Sequence, residues 1–468
     1  MTIWTPNLSN LSAPPSRPKY LLIADAIADA ISSGELEAEQ KLPTHRDLAY
    51  RLGVTVGTVS RAYAEIARQG LTSGEVGRGT FVRDMNASSP VAPFDIQRAQ
   101  RKDIIDLSVN RPTTGRAGEY YARTLAQLSK SNGLDVLTEY QPSNGMPVHR
   151  QAGAKLISKL GLETNPDTII LTNGVQHAMA AVFMTLAKAG DTVLCEDLTF
   201  PALKALSQSL GFNLKGLPMD AEGLLPDALE DACRQGLSKI LFTMPTLQNP
   251  TGSIQSMERR RKIAEIAERH DLTIIEDDVY GFLPDKRPPP LAAFAPDRVV
   301  YMTSTAKSLA PGLRVGYLSA PERMMERLGN AVRMTGWMIP PLMGEIASRW
   351  IFDNIADELI KWHRENARFR MALASRIFQD LNITRHTVTY HLWLKLPEGI
   401  RIDEFMGACT RRSIAVSGPL SFTVGNSAPP SAIRVCLGST QTMSELEKGL
   451  TVLRDIIDNP PEPDLSML

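Results

Sequence analysis

The chain carries no net charge, with 51 Lys and Arg against 51 Asp and Glu. No overall field draws it toward nucleic acid or membrane, so any such binding must come from a local patch. Cysteine is scarce: Cys195, Cys233, Cys409 and Cys436 are the four in 468 residues. They form no CxxC pair and share no metal-ligand spacing with the seven histidines. A disulfide framework and a bound metal are therefore not expected, and free thiols in a reducing compartment are. No uncharged apolar run reaches the length of a membrane span. The opening stretch "MTIWTPNLSNLSAPPSRPKY" lacks a basic start followed by an apolar run. A cytoplasmic protein with no membrane partner is expected. Internal repeats are also absent.

What is present is enough apolar sequence for a large core: 43% hydrophobic residues against 22% charged. The length predicts two or three domains. Residues 19–83 form one block, and 84–103 mix Pro, Ser, Ala and charge without a period, as a linker does. From "IIDLSVN" onward, short β-branched runs alternate with helix-like stretches: "TIILT", "DTVLCED", "KILFTMP", "LTIIEDD", "RVVYMTS". This alternation predicts a mostly parallel α/β sheet over 104–456. Its large lobe would span about 135–320. After about residue 320, helices precede the strands "TVTYHLWLKL" and "AIRVCLG" and a last helix, which predicts a smaller α+β lobe over about 321–456.

The first block reads as three helices and a hairpin. Leu22, Ile23, Ala26, Ile27, Ala30 and Ile31 recur at helical spacing, and Gly34 stops that helix. Thr44 caps a second helix that runs to Gly53, and Thr55 caps a third that ends near Gly70. Two short helices around a Gly-containing turn make a helix-turn-helix, and "LTSGEVGRGTFV" adds two strands around a Gly-rich tip, the shape of a wing. From Lys41 to Arg83 there are seven basic residues and three acidic ones. Such a face suits phosphate contacts, and the small side chains of Thr55 and Thr58 suit base edges or phosphates. A three-helix packing domain with solvated charges has the same spacing. The text "SGELEAEQKLPTHRDLAYRLGVTVGTVSRAYAEIARQGLTSGEVGRGTFV" resembles the winged helix of GntR-type transcriptional regulators. The resemblance implies a double-stranded DNA operator as partner, contacted by Thr44, Arg46, Thr55, Thr58, Arg61 and the wing residues Arg78 and Gly79. Val56 stands where that family usually has arginine, which implies a different operator preference.

The second motif is "STAKSLAPGLRVGY". A lysine that condenses with an aldehyde must lose its proton, which calls for desolvation or nearby cations. Arg314 supplies a fork for a phosphate, and Ser304 a hydroxyl for the same anion. Lys307 beside a phosphate clamp points to pyridoxal 5′-phosphate. Asp277 ends the apolar strand in "IIEDDVY", where it can hold the pyridine nitrogen protonated. Tyr280 and Asn249 ("QNPTG") can bond the phenolic oxygen of the cofactor. Gly174 opens a helix whose Val175 and Gln176 amides can meet a phosphate. Phe200 can stack on the ring. Read singly, Asn249 closes a turn, Asp277 caps one and Phe200 is core.

The ordered set "TNGVQHA", "EDLTFP", "QNPTG", "EDDVY", "STAKSLAPGLRVGY" and "AIRVCLG" resembles fold-type I pyridoxal-phosphate enzymes of the aminotransferase class. The resemblance makes Lys307 the Schiff-base lysine, Asp277 the partner of the pyridine nitrogen, and Ser304 and Arg314 phosphate ligands. It gives Arg434 the substrate α-carboxylate. It sends Tyr140, in "EYQPSNGMPVHR", to the phosphate of a neighbouring subunit's site, which implies a homodimer with shared sites. Leu198 and Phe200 replace the proline and tyrosine common in "EDPTY"; stacking survives and a hydroxyl contact does not. The two halves together resemble the MocR subfamily. The implied function is a PLP-dependent transcriptional regulator that senses PLP, or a small amine or amino-acid effector, through an imine at Lys307. An active aminotransferase with an accessory winged helix is the alternative, since Lys307 could act as the general base of transamination. Sensing of PLP alone is a third reading, against which Arg434 weighs.

Overall fold

The computed structural model describes residues 18–37, 39–69, 71–75, 79–82, 104–113, 115–384, 386, 388–425 and 427–460. They fall into two compact units. The expected linker 84–103 lies outside the described residues.

In the N-terminal unit, α1 (Lys19–Ser32), α2 (His45–Leu52) and α3 (Val56–Arg68) precede a hairpin of β1 (Thr72–Glu75) and β2 (Gly79–Val82). The caps explain the breaks. Thr44 accepts a hydrogen bond from the Asp47 amide at 3.2 Å, and Thr55 accepts one from the Thr58 amide at 3.2 Å. Each satisfies an amide that the first helical turn leaves without a partner. Gly53 ends α2 with φ +63°, a conformation that L side chains resist. Ile23, Ile27, Leu48, Val59 and Ile66 close the small core. The Tyr63 hydroxyl donates to the Pro43 carbonyl at 2.7 Å and ties α3 to the start of the turn-helix.

The larger unit opens with β3 (Ile105–Asp106), α4 (Ala117–Leu128) and α5 (Pro147–Ser158). Then come β4 (Ile169–Thr172), α6 (Val175–Leu186), β5 (Thr192–Glu196), α7 (Pro201–Leu210), β6 (Asn213–Leu217), β7 (Met219–Asp220), β8 (Gly223–Leu224) and α8 (Pro226–Arg234). The middle holds β9 (Ile240–Thr243), α9 (Met257–His270), β10 (Thr273–Asp277), β11 (Val299–Ser304) and β12 (Gly316–Ser319). Last are α10 (Glu322–Gly336), α11 (Pro341–Phe352), α12 (Ile355–Ile377), β13 (His391–Lys395), α13 (Ile402–Arg411), β14 (Ile414–Ala415), β15 (Ala432–Cys436) and α14 (Met443–Asp458).

Seven strands form one sheet in the order β4-β12-β11-β10-β9-β5-β6. All run parallel except β12, which is antiparallel to both β11 and β4. Neighbouring residues in a strand face opposite sides, and the two sides bury different cores. Leu171, Leu241 and Ile274 join one; Ile170, Phe242 and Ile275 join the other. Helices therefore cover both faces, which is why these strands read as continuous apolar runs. Trp350 of α11 packs into the first core, and Leu328 and Val332 of α10 into the second. A third core gathers Leu107, Leu392, Leu394, Ile433, Val435 and Leu450 into the smaller lobe.

The five runs from "TIILT" to "RVVYMTS" are all strands of this sheet. "IIDLSVN" is not its start: Ile105–Asp106 pairs in parallel with Ile414–Ala415 in a separate two-stranded sheet. The pattern of an apolar run does not say which sheet receives it.

Beneath the sheet ends, Asp278 is fully buried and takes Arg287 Nη1 at 2.6 Å and the Tyr301 hydroxyl at 2.7 Å. Removing one partner of a buried pair leaves the other charge desolvated and uncompensated. Arg287→Met is expected to cost about 3–5 kcal/mol of the larger unit's stability. Denaturant unfolding followed by tryptophan fluorescence checks this, since Trp337, Trp350, Trp362 and Trp393 all lie in that unit.

Candidate cofactor site and nucleic-acid interface

The carboxyl ends of the parallel strands bring the predicted residues together, as open α/β sheets do. Asp277 is the last residue of β10 and Ser304 the last of β11. Gly174 follows β4, Phe200 follows β5, and Asn249 lies in the turn after β9. Lys307 sits in the tight turn after β11.

At one end is an anion cradle. Gly174 caps α6 at φ +82° with no side chain on the first-turn amides and no acidic residue in that turn. A Cβ there would lie 2.7 Å from Arg314 Nη2 and be strained at this φ, so glycine leaves the helix start open to the guanidinium. Arg314 itself holds a left-handed φ of +52°, and its Nη2 donates to the Asn173 carbonyl at 3.1 Å. Ser304 Oγ accepts from the Ala306 amide at 3.3 Å and keeps its proton to give. Helix amides, a guanidinium and a hydroxyl meet here with no acidic side chain among the described residues in the first helical turn.

At the other end, Lys307 is half-buried with its ammonium on the Asn110 carbonyl. Its Nζ stands 5.8 Å from the centre of the Tyr280 ring. Burial pulls its pKa down to about 8, and the charges of Arg434 and Arg314 push the same way. Asp277 is 1% exposed and accepts the Val279 amide at 3.1 Å. Burial lifts its carboxyl to about 7. Such a carboxyl suits a cationic ring nitrogen.

Arg434, on β15, is 6% exposed and meets only neutral acceptors. Nη1 donates to Asn249 Oδ1 at 2.8 Å; Nη2 donates to the Ser108 carbonyl at 2.6 Å and Ser417 Oγ at 3.2 Å. Its Nε is buried without a partner. The guanidinium lies 4.8 Å from the Phe422 ring. A buried cation with a spare donor and no counter-ion among the described residues has the chemistry to accept a carboxylate. The cradle, the carboxyl at the strand end and the desolvated lysine fit a phosphorylated pyridine aldehyde, and Arg434 fits the carboxylate of an amine partner.

Tyr280 is buried, with its hydroxyl accepting from Asn110 Nδ2 at 2.8 Å. Val175 is buried, Gln176 exposed, and Phe200 partly buried against the second core. Tyr140 is not brought to Lys307. It is 82% exposed and lies tilted against Trp337, with 5.4 Å between ring centres. Asn110, His391 and Ser108 escape the sequence reading. "SVNRP" looks like a turn; the one available signal was a histidine inside the apolar strand "TYHLWLKL".

In the N-terminal unit, Thr44, Arg46, Thr55, Arg61 and Gly79 are exposed and Thr58 half-buried. Arg78 lies outside the described residues. Thr55 Oγ1 also sits 2.9 Å from Thr58 Oγ1, so helix capping already engages both hydroxyls. Arg51 and Arg68 bond Asp47 and Glu65 on their own helices, whereas Arg46 and Arg61 form no ion pair among the described residues. The uncompensated positive charge is thus narrower than the residue count implied. No helix among the described residues is long and apolar enough to cross a membrane.

Fold and site together define a fold-type I aminotransferase domain joined to a winged helix. Residues 102–453 match the family aminotransferase class I and II, and residues 19–82 match the gntR family of bacterial regulatory proteins. The chain belongs to the helix-turn-helix regulators of MocR type, in which a GntR head is fused to an aminotransferase class I and II domain. An uncharacterized HTH-type transcriptional regulator, YdeF, of Bacillus subtilis is 31% identical over 456 residues, 97% of either chain. A probable rhizopine catabolism regulatory protein, MocR, of Rhizobium meliloti is 27% identical, covering 81% of this chain and 80% of that one. A multiple substrate aminotransferase from Thermococcus profundus, at 22% identity, superposes with a TM-score of 0.72 over 80% of this chain and 95% of its own. That likeness carries the fold alone.

An amine condenses with an aldehyde only in its neutral form. With Lys307 near 8 rather than the ordinary 10.5, uptake of pyridoxal phosphate is expected to speed up as pH rises through about 8 and then level off. Stopped-flow absorbance against pH measures it. A rate still climbing toward pH 10.5 would contradict a desolvated lysine.

Proposed function

We propose that the protein is a cytoplasmic, PLP-dependent transcriptional regulator of double-stranded DNA, whose larger domain senses the cofactor and a small amine or amino-acid effector. One observation carries the reading: the same chain that holds a winged helix keeps a desolvated lysine, an anion cradle and an unpaired carboxylate receptor in one crevice. Bound PLP supplies an aldehyde that condenses with amines and a ring that draws electrons. Asp277 would hold the ring nitrogen, Ser304, Arg314 and the Gly174–Gln176 amides would hold the phosphate, and Asn249 and Tyr280 would bond the phenolic oxygen. Phe200 offers a face to the ring. Lys307 releases its proton to react, and Arg434 orients the effector's carboxylate. The MocR relative is a probable rhizopine catabolism regulatory protein, which supports a regulator that answers to a small molecule.

Tyr140, 82% exposed, is the residue we assign to the site of a second copy, in a homodimer with shared sites. An effector acts only by binding one arrangement of the dimer more tightly than the other. On the DNA side, Thr44, Arg46, Thr55, Thr58, Arg61, Arg78 and Gly79 form the contact face.

Lys307→Ala is expected to abolish the visible absorbance of the loaded protein; retention would refute the assignment. Arg46→Ala and Arg61→Ala are each expected to weaken binding to every DNA sequence and to flatten the plot of log affinity against log salt by about one unit. Genomic DNA pull-down with and without PLP tests the function itself. Recovery of no specific fragment, together with steady keto-acid production from amino donors, would favour the aminotransferase alternative.

A further inference from the structure

Residues 106–111 cross the crevice as a strap. Asp106 Oδ1 accepts from the Ser108 amide at 2.7 Å and from Ser108 Oγ at 2.6 Å, which fixes its bend. Two carbonyls of the strap then reach the two cations of the site: Ser108 O takes Arg434 Nη2, and Asn110 O takes the Lys307 ammonium. Arg111 anchors the far side, with Nη2 donating to the Ser439 carbonyl at 2.8 Å.

The Asn110 side chain decides where that carbonyl sits. Its amide nitrogen lies 2.8 Å from the Tyr280 hydroxyl and 2.9 Å from His391 Nδ1. His391 Nε2 lies 3.1 Å from the Gln248 carbonyl, which only accepts. The network therefore assigns the imidazole proton to Nε2 and leaves Nδ1 as an acceptor for Asn110. Turning the Asn110 amide over would set oxygen against Nδ1 and force the proton away from Gln248. Burial above all, then the charge of Arg434, holds His391 down to about 3. Lys307 and His386 face it with the same sign, and the Tyr280 ring closes another side at 5.5 Å. The imidazole is a fixed neutral acceptor.

We propose that Asn110 is a positioning residue, locked by neutral His391, that holds the Lys307 ammonium through its carbonyl and the Tyr280 hydroxyl through its amide. This rests on Lys307 being the cofactor lysine. The strap carbonyl stabilises the charged amine, so Asn110 tunes how readily Lys307 gives up its proton.

The test uses the full chain. In the protein without cofactor, ¹⁵N imidazole shifts of His391 are expected to report the neutral Nε2–H form throughout about pH 5 to 8. Protonation within that window, or the Nδ1–H form, overturns the proposal. Three variants follow through the pH midpoint of PLP uptake. Asn110→Asp keeps the shape, loses both donors and adds negative charge, so the midpoint rises by about one unit. His391→Phe frees the strap and lowers it by about one unit. His391→Gln, which can still accept from Asn110 and donate to Gln248, returns it to the wild-type value. Shifts of opposite sign are not what a general packing defect produces; wild-type midpoints in both Asn110→Asp and His391→Phe refute the proposal. Should the wild type take up no PLP, the function proposed above fails, while the imidazole measurement still decides this one.

Discussion

Two cations and one carboxyl are withdrawn from water in a crevice where their protein partners are all neutral: the Asn110 and Ser108 carbonyls, the Asn249 amide, the Ser417 hydroxyl and the Val279 amide. Dipoles can support a charge without cancelling it, which keeps the ions available to a ligand of opposite sign. A carboxylate on Arg434 would have closed the receptor. Contrast Arg287, which takes buried Asp278 through two short bonds and is spent on that pair. The same residue type is structural in one place and receptive in the other, and only the counter-ion separates them.

The sheet makes this arrangement possible. Its interior is apolar on both faces, so polar side chains concentrate where the strands stop. Asp277 and Ser304 end adjacent strands, and Gly174 follows a strand on the far side of antiparallel β12. Charge in the N-terminal unit obeys other rules. Arg46 and Arg61 are solvated and screened by salt, whereas Lys307 and Arg434 sit at low dielectric where salt hardly reaches.

Much of this was legible in the sequence because the signals are local. Thr44, Gly53 and Thr55 act within four residues of themselves, and each does in the structure what its chemistry predicts. The apolar strand runs announce their own burial. Two strands of the seven-stranded sheet went unseen. β6 is an edge strand reading Asn-Leu-Lys-Gly-Leu, with little β-branching, and β12 is a four-residue antiparallel insertion directly after the Arg314 motif. Asn110 and His391 are 281 residues apart, and no periodicity joins them. Nor could composition reveal that Arg51 and Arg68 bond acids on their own helices.

The strap has a mechanical side. Ile105 and Leu107 are stitched to Ser413 and Ala415, and the Leu107 carbonyl accepts from Cys436 on β15, two residues beyond Arg434. From Ile104 the chain is thus held along a seam of hydrogen bonds running parallel to its neighbour, so that several bonds share a load along the strand rather than yielding one at a time. A shift along that seam would reach, within six residues, the carbonyls that grip Arg434 and Lys307.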